Sequence, residues 1–271
     1  MSEERVTIHI ENGVADVRFN RPEKMNALDP AQFDAILAAG ERLKTEKGLR
    51  AVVLSGEGRA FCAGLDASNF GKMADGSRAS GESSTGGSLG ERSHGDSNRA
   101  QYTAMVWRDV PVPVIAAVHG VAFGGGFQIM LGADIRYTAP DTKLSIMEAK
   151  WGLVPDMAGF PLMRHLARED IIRELTYTAR IFTGVEAYEY GFATRVCDDP
   201  RAEAFKLARE IADKNPDAIR ANKRIFKLAA LGSVRDVLQA ESDEQIKLIG
   251  SPNQVEAILS NLQKRTATYA D

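Results

Sequence analysis

The alternation of short apolar strands with helices constrains the fold of this chain more than any other feature. Residues 6–10 and 14–19 alternate apolar and polar positions around an Asn-Gly turn, which predicts a β-hairpin. An Asp-Pro pair then predicts the start of a helix over residues 31–44. A short apolar run at residues 51–54 is typical of a buried strand. Strands that alternate with helices in this way indicate an α/β fold.

The later part of the chain continues the pattern and then becomes mostly helical from Pro161 onward. We predict strands at residues 112–118, 135–137 and 143–146, a helix at residues 124–131, and C-terminal helices at residues 202–213, 216–230, 234–249 and 253–266. We therefore expect residues 1–200 to form the strand-containing core and residues 201–271 to form a helical region.

Composition excludes several classes of protein. The formal net charge of −3 over 271 residues gives no general reason to expect nucleic acid or a membrane as partner. Cys62 and Cys197 form neither a disulfide framework nor a metal-binding pattern, and we expect no metal. The first residues are charged and no apolar run is long enough to span a membrane, so we expect a cytoplasmic protein.

Residues 71–98 differ in composition from the rest of the chain. They consist mainly of glycine, serine and charged residues, which favours a surface loop without regular structure. Long loops inside compact domains are often functional, however, and a lid over a site is the second interpretation.

Two glycine-containing segments flank that loop, at residues 60–66 and 119–126. Each exposes backbone N–H groups that a ligand oxygen can approach closely. The glycines at 124–126 precede a helix, so their N–H groups lie at the positive end of its dipole. Either segment alone could serve only a tight turn. The glycine spacing does not match a dinucleotide-binding motif.

A third segment, residues 148–159, places two carboxylates among apolar residues. These are Glu148 and Asp156. A carboxyl group in apolar surroundings has a raised pKa and can exchange protons near neutral pH. The alternative is that both are ordinary loop acids that accept hydrogen bonds from backbone N–H groups.

Together these segments resemble the crotonase superfamily, also called the enoyl-CoA hydratase/isomerase family. The resemblance rests on residues 21–28, 60–66, 113–134 and 148–159, in matching order and spacing. It implies a spiral of ββα units, assembled as a homotrimer or a hexamer. It also implies an acyl-CoA thioester whose carbonyl lies between the backbone N–H groups of Leu65 and Gly125.

The resemblance also implies where coenzyme A binds. CoA is part of the substrate, so no separate cofactor is expected, and residues 201–271 would cover it and form subunit contacts. Lys264 and Arg265 are further candidates for its charged groups. The residues expected near its adenine and ribose phosphate are Lys24, Ala27, Leu28, Ala63 and Asp66.

The acids depart from the pattern of the hydratases in this family. Those enzymes carry two glutamates, at the positions of Gln128 and Glu148, and usually a glycine at the position of Asp156. Glutamine cannot take a proton from water. The pair Glu148 and Asp156 resembles instead the dienoyl-CoA isomerases and the 3-hydroxyisobutyryl-CoA hydrolases.

Three functions therefore remain open. The first is an enoyl-CoA hydratase or isomerase in which Glu148 and Asp156 share proton transfer while Gln128 positions substrate or water. The second is a thioester hydrolase that uses the same oxyanion site. The third is an acyl-CoA-binding protein without turnover.

Overall fold

The computed structural model describes residues 4–75, 85 and 88–271. Two short 3₁₀ helices, Pro22–Lys24 and Glu148–Trp151, lie among the longer elements. The strands in these residues are β1 Val6–Glu11, β2 Val14–Phe19, β3 Ala51–Gly56, β4 Val114–Val118, β5 Val121–Phe123, β6 Ile135–Thr138, β7 Lys143–Ser145, β8 Phe182–Thr183 and β9 Arg195–Val196. The helices are α1 Pro30–Lys44, α2 Ala67–Ala74, α3 Arg99–Asp109, α4 Gly125–Gly132, α5 Gly159–Met163, α6 Glu169–Thr178, α7 Gly184–Tyr190, α8 Pro200–Ala212, α9 Pro216–Ala229, α10 Val234–Leu248 and α11 Pro252–Leu262.

The described strands form two sheets. The larger has the order β1-β2-β3-β4-β6-β9, and all its pairs are parallel except the β1–β2 hairpin. The smaller has the order β5-β7-β8, with β5 and β7 parallel. Because β4 belongs to one sheet and β5 to the other, the chain changes sheets just before the glycines at 124–126, which places those glycines at the junction.

Burial follows from these layers. Strand β4 is buried along its whole length, as a parallel strand covered on both faces must be. Trp107, Phe127 and Phe182 are among the largest side chains of the main apolar core. A second apolar cluster lies where Ala204 and Ala208 of α8 pack against the other face of the large sheet. This rigid framework holds the loops that carry the candidate site.

The predicted α/β class and most predicted elements agree with the structure. The hairpin, the helix after the Asp-Pro pair and the strand that begins at Ala51 all lie where the patterns indicate. The last helix was predicted to reach residue 266 and ends at Leu262, because Lys264 adopts a left-handed φ of 52°. The strand predicted from residue 112 begins at Val114.

Helices α2 and α3 and the short strands β5, β8 and β9 have no counterpart in the predictions. Helix α2 lies partly inside the segment 71–98, whose glycine and charged residues do not give a helical hydrophobic pattern. Within that segment, residues 76–84, 86 and 87 lie outside the described residues. The proposed boundary at residue 200 coincides with the start of α8 and stays a prediction. No helix in the described ranges is long and apolar enough to cross a membrane.

Candidate active site

A cavity of about 450 Å³ brings the three predicted segments together. Its polar groups are the backbone of the glycine-containing segments and the carboxylates of Glu148 and Asp156. Most of its wall is apolar, as expected of a site that encloses a hydrocarbon chain. The lining residues include Leu28, Ala63, Gly64, Leu65, Phe70, Met73, Leu89, Phe123, Gly124, Gly125, Glu148, Trp151, Asp156 and Met157.

Backbone hydrogen bonds hold the two glycine-containing segments side by side. The Cys62 N–H donates to the Val121 carbonyl over 3.0 Å, and the Phe123 N–H donates to the Cys62 carbonyl over 3.1 Å. Two residues after Cys62, a Cβ added to Gly64 would lie 2.6 Å from the Phe123 carbonyl oxygen and 3.7 Å from Gly125 N. Gly64 also has a φ of +84°, so glycine is required there for both reasons.

Leu65 and Gly125 both line the cavity, and their N–H groups are available to a ligand. The Leu28 N–H donates to Gly64 and the Asp66 N–H donates to Leu28, which leaves the Leu65 N–H outside this pairing. Gly125 is the first residue of α4, so its N–H has no partner inside the helix. Among the described residues, neither N–H donates to a protein acceptor. The geometry suits stabilisation of an oxyanion.

Glu148 is the buried acid of the cavity. Glu148 is the first residue of the second 3₁₀ helix and is only 9% exposed. Burial and, to a smaller extent, the charge of Asp156 raise the pKa of Glu148, while hydrogen bonds from backbone N–H groups and from Gln128 lower it, and the net pKa is about 7. A Cβ added to Gly124 would lie 3.2 Å from Glu148 Oε1, so the carboxyl group lies beside the helix start that carries the Gly125 N–H.

Asp156 is the exposed acid of the same cavity. It lies in the turn that follows the 3₁₀ helix, before the buried residues 157–159. The two predicted acids are therefore brought together in contrasting surroundings, one shielded from water and one in contact with it. Two titratable groups with different environments are the usual arrangement for a base and an acid that act in one reaction.

Gln128 lies behind Glu148 and does not line the cavity. It is 1% exposed, and its Nε2 donates to Glu148 Oε1 over 2.6 Å. Its Oε1 accepts from Met157 N over 2.8 Å and from Gly159 N over 2.9 Å. The sequence prediction that Gln128 positions substrate or water stays a prediction, but the contacts seen here are with Glu148 and the turn after Asp156.

Of the residues predicted to bind CoA, Leu28 and Ala63 line the cavity, and Lys24, Ala27 and Asp66 lie close to them in the chain. Ala63 N donates to Met25, and Leu28 pairs with Leu65, so residues 24–28 run beside residues 63–66. Ala27 and Leu28 are buried, while the Lys24 side chain is exposed and has no ion pair with a described residue. Lys24 is therefore available to a phosphate.

The Asp66 carboxylate is occupied by protein partners. It accepts from the Ser68 N–H and from Ser68 Oγ, and pairs with Arg21 over 2.6 Å. Burial acts to raise the pKa of Asp66, but these hydrogen bonds and the Arg21 charge lower it to about 2. In this arrangement Asp66 caps α2 and fixes the position of Leu65.

Other candidates take no part in the cavity. Arg265 pairs with Glu256, and neither it nor Lys264 lines the cavity. Cys62 is buried, and burial raises the pKa of its thiol to about 12, which favours the unreactive thiol form. The described residues contain no group of three metal-binding side chains.

Sequence reasoning missed the roles of several residues around the cavity. Asn26 is buried and its amide donates to the carbonyls of Glu57 and Ala60, which fixes the loop before Leu28. Its left-handed φ of 56°, which asparagine tolerates well, was a possible signal. Phe70 and Trp151 stack with ring centroids 4.2 Å apart at one wall of the cavity. No sequence signal pairs residues so far apart.

The fold and the site are those of an enzyme: two backbone N–H groups without a protein acceptor among the described residues and two carboxylates line one apolar cavity. A family model described as enoyl-CoA hydratase/isomerase matches residues 9–271. The chain belongs to this family and is an enzyme of the hydratase/isomerase type. It has the α/β fold with a helical C-terminal region that the resemblance implied.

Individual relatives agree with this assignment. The chain is 30% identical to the mitochondrial Delta(3,5)-Delta(2,4)-dienoyl-CoA isomerase of Homo sapiens, over 95% of this chain and 79% of that protein. It is 32% identical to enoyl-CoA hydratase EchA19 of Mycobacterium tuberculosis, over 86% of this chain and 80% of that protein. The fold matches that of an enoyl-CoA hydratase from Bacillus anthracis with a TM-score of 0.85 at 24% identity, over 98% of each chain.

Proposed function

We propose that this protein is an isomerase that moves double bonds within an unsaturated acyl-CoA thioester, with a dienoyl-CoA as its substrate. One observation carries the proposal. Glu148 and Asp156 line the same cavity, whereas Gln128, at the position of a second hydratase glutamate, is uncharged and bonded to protein groups. The named activity of the human relative agrees with it.

In the proposed reaction the thioester oxygen accepts hydrogen bonds from the N–H groups of Leu65 and Gly125. The Glu148 carboxylate removes a proton from the carbon next to the carbonyl, because it lies beside the helix start that carries the Gly125 N–H. The C–H electron pair moves into the carbonyl, and both N–H groups stabilise the resulting oxyanion. Removing one such donor costs about 3 kcal/mol of activation free energy in comparable sites.

The second proton transfer takes place further along the acyl chain. The Asp156 carboxyl group delivers a proton to the distant carbon while the electron pair returns from the oxyanion into the shifted double bonds. This step starts from the form in which Glu148 is ionised and Asp156 is protonated; because the pKa of Glu148 is about 7, Glu148 is partly ionised at neutral pH. Exposure of Asp156 allows it to recover its proton from solvent, and Glu148 loses its proton before the next turnover.

Three thioesters distinguish this activity from the alternatives. We would incubate the protein with crotonyl-CoA, a 3,5-dienoyl-CoA and 3-hydroxyisobutyryl-CoA, and follow ultraviolet absorbance and free thiol. Conversion of the dienoyl-CoA to the conjugated product without thiol release is the expected result. Glu148→Gln should abolish it, whereas Glu241→Gln on the exposed face of α10 should not.

The other outcomes would contradict the proposal in different ways. Thiol release without double-bond chemistry would identify a hydrolase. Preferred hydration of crotonyl-CoA would identify a hydratase. Tight binding of CoA thioesters without turnover of any of them would identify a binding protein.

We also propose that the protein is cytoplasmic and assembles as a homotrimer or a hexamer. The C-terminal helices support assembly, because α10 has no buried residue and large apolar side chains on α9, α10 and α11 face solvent. Phe226, Leu231 and Leu262 are 73%, 79% and 76% exposed. Apolar surface of this extent is typical of a subunit interface. Light scattering at several protein concentrations tests this, and a monomer throughout would contradict it.

A further inference from the structure

The side chain of Gln128 connects Glu148 with the turn that follows Asp156. It lies in the middle of α4 and is 1% exposed. Its amide nitrogen bonds to Glu148, and its amide oxygen bonds to the turn that follows Asp156. An amide group inside the protein that makes three hydrogen bonds has one well-defined orientation. That orientation can be read from its partners.

The oxygen of the amide is identified by two backbone N–H groups. Met157 N and Gly159 N both donate to Gln128 Oε1. They flank Ala158, which adopts a left-handed φ of 66°. A Cβ added to Gly159 would lie 2.8 Å from Gln128 Oε1, so the turn fits closely around this atom. Gln128 therefore holds the turn that follows Asp156.

The nitrogen of the amide must then face Glu148. Gln128 Nε2 donates to Glu148 Oε1 over 2.6 Å, and an amide nitrogen can only donate. Glu148 Oε1 consequently accepts this hydrogen bond and cannot itself carry a proton that points toward Gln128 Nε2. Glu148 Oε2 is buried and has no hydrogen-bond partner in the described part of the chain.

From these contacts we infer that Gln128 is a positioning residue that confines the exchangeable proton of Glu148 to Oε2 and fixes the turn that follows Asp156. The inference rests on the proposed function for its effect on turnover. An amide at this position acts differently from the glutamate that the hydratases of this family carry there. A carboxylate in the same place would set an oxygen against Glu148 Oε1, and the two oxygens would have to share a proton.

The charged surroundings of Glu148 are few. Helix α4 carries no charged residue, and Asp156 is the other carboxylate that lines the cavity. Lys150, on the same 3₁₀ helix, lies over the Trp151 ring, 5.5 Å from its centroid. On α6, which packs against this 3₁₀ helix, Arg173 pairs with Glu169. The Glu148 carboxyl group therefore has a side-chain donor in Gln128 and, beside it, the backbone N–H groups of Met147 and Glu148.

Infrared titration of the carboxyl group in the free, full-length protein tests the inference without substrate. The Glu148 band is assigned by subtracting the spectrum of Glu148→Gln. In the parent protein the midpoint should lie near the pKa of about 7. In Gln128→Met, which keeps the volume and removes the donor, the midpoint should rise by about one pH unit. The matched control is Gln32→Met, a buried glutamine on α1 that does not line the cavity.

Turnover gives a second readout. A midpoint one pH unit higher leaves about one fifth as much carboxylate at pH 7, so kcat should fall about fivefold there and recover at higher pH, with little change in KM. Gln32→Met should show the parent profile. If the dienoyl-CoA is not converted by the parent protein, the proposed function fails, and the titration still decides the role of Gln128.

A second variant covers the case in which Gln128→Met does not fold. Gln128→Glu keeps an oxygen that accepts from Met157 N and Gly159 N, so the turn is retained. We expect this variant to hold a protonated carboxyl group well above pH 7, shared between the two glutamates. Parent-like titration of Glu148 in either folded variant would overturn the inference and reduce Gln128 to a packing residue.

Discussion

Replacing Glu148 by glutamine should remove activity and at the same time stabilise the fold at high pH. Glutamine has the same shape and can still accept the hydrogen bond from Gln128 Nε2. It cannot ionise, however, and a negative charge at this buried position is unfavourable. The same burial that makes Glu148 a useful base therefore reduces the stability of the protein at high pH.

The magnitude follows from the pKa. Burial raises the pKa of Glu148 from 4.5 to about 7, which corresponds to roughly 3 kcal/mol. Because the folded pKa lies above the unfolded value, the contribution of the protonated group is complete below about pH 4.5 and is lost as the pH rises through about 7. Relative to the parent protein, Glu148→Gln should gain roughly 3 kcal/mol in the free energy of unfolding between about pH 4 and about pH 9.

Urea unfolding over that pH range, at one protein concentration, measures this difference. Glu241→Gln serves as the control, because Glu241 is exposed and should change the pH dependence very little. A constant difference between Glu148→Gln and the parent protein at all pH values would refute the reasoning. It would mean that Glu148 is ionised in the folded protein without the cost that its burial requires.

Three further substitutions test other parts of the site. Asp156→Gly should abolish turnover, because one carboxylate remains in the cavity, while calorimetry should still detect CoA binding; a gain of hydratase activity would contradict our assignment. Gly126→Ala should destabilise the protein by about 1–3 kcal/mol in urea unfolding, because the new Cβ would lie 2.2 Å from the Cys62 carbonyl oxygen; an unchanged midpoint would contradict this packing. Asp66→Asn should lower the free energy of unfolding by about 1 kcal/mol at pH 7, after allowance for solvent screening. The lowered pKa of Asp66 means that this stability is present above about pH 3.8 and is lost as the pH falls through about 2. The free energies of unfolding of variant and parent should therefore converge in acid, as urea unfolding would show.

Local patterns were sufficient to predict much of the fold. The β1–β2 hairpin and α1 carry their own turn and cap signals, and both form where these signals indicate. Helix α3 was missed although Asn98 and Gln101 form a capping box, which is a recognisable sequence signal. The end of α11 was misjudged because the left-handed backbone of Lys264 leaves no mark in the hydrophobic pattern.

The acids of the site were predicted, but their relationship was not. Sequence spacing and the family resemblance named Glu148, Asp156 and Gln128, and the structure places them around one cavity or directly behind it. The sequence could not show that the amide of Gln128 reaches both Glu148 and the turn at Met157. That arrangement depends on contacts between residues 20 to 31 positions apart, which only the packed fold determines.

The central claim is that a thioester carbonyl lies between the N–H groups of Leu65 and Gly125, opposite Glu148 and Asp156. A crystal structure of Glu148→Gln with a bound unsaturated acyl-CoA tests it most directly. We predict that the carbonyl oxygen lies about 3 Å from both backbone nitrogens, with residue 148 next to the adjacent carbon and Asp156 further along the chain. A carbonyl oxygen bound elsewhere, with Leu65 N and Gly125 N not in contact with it, would contradict the account.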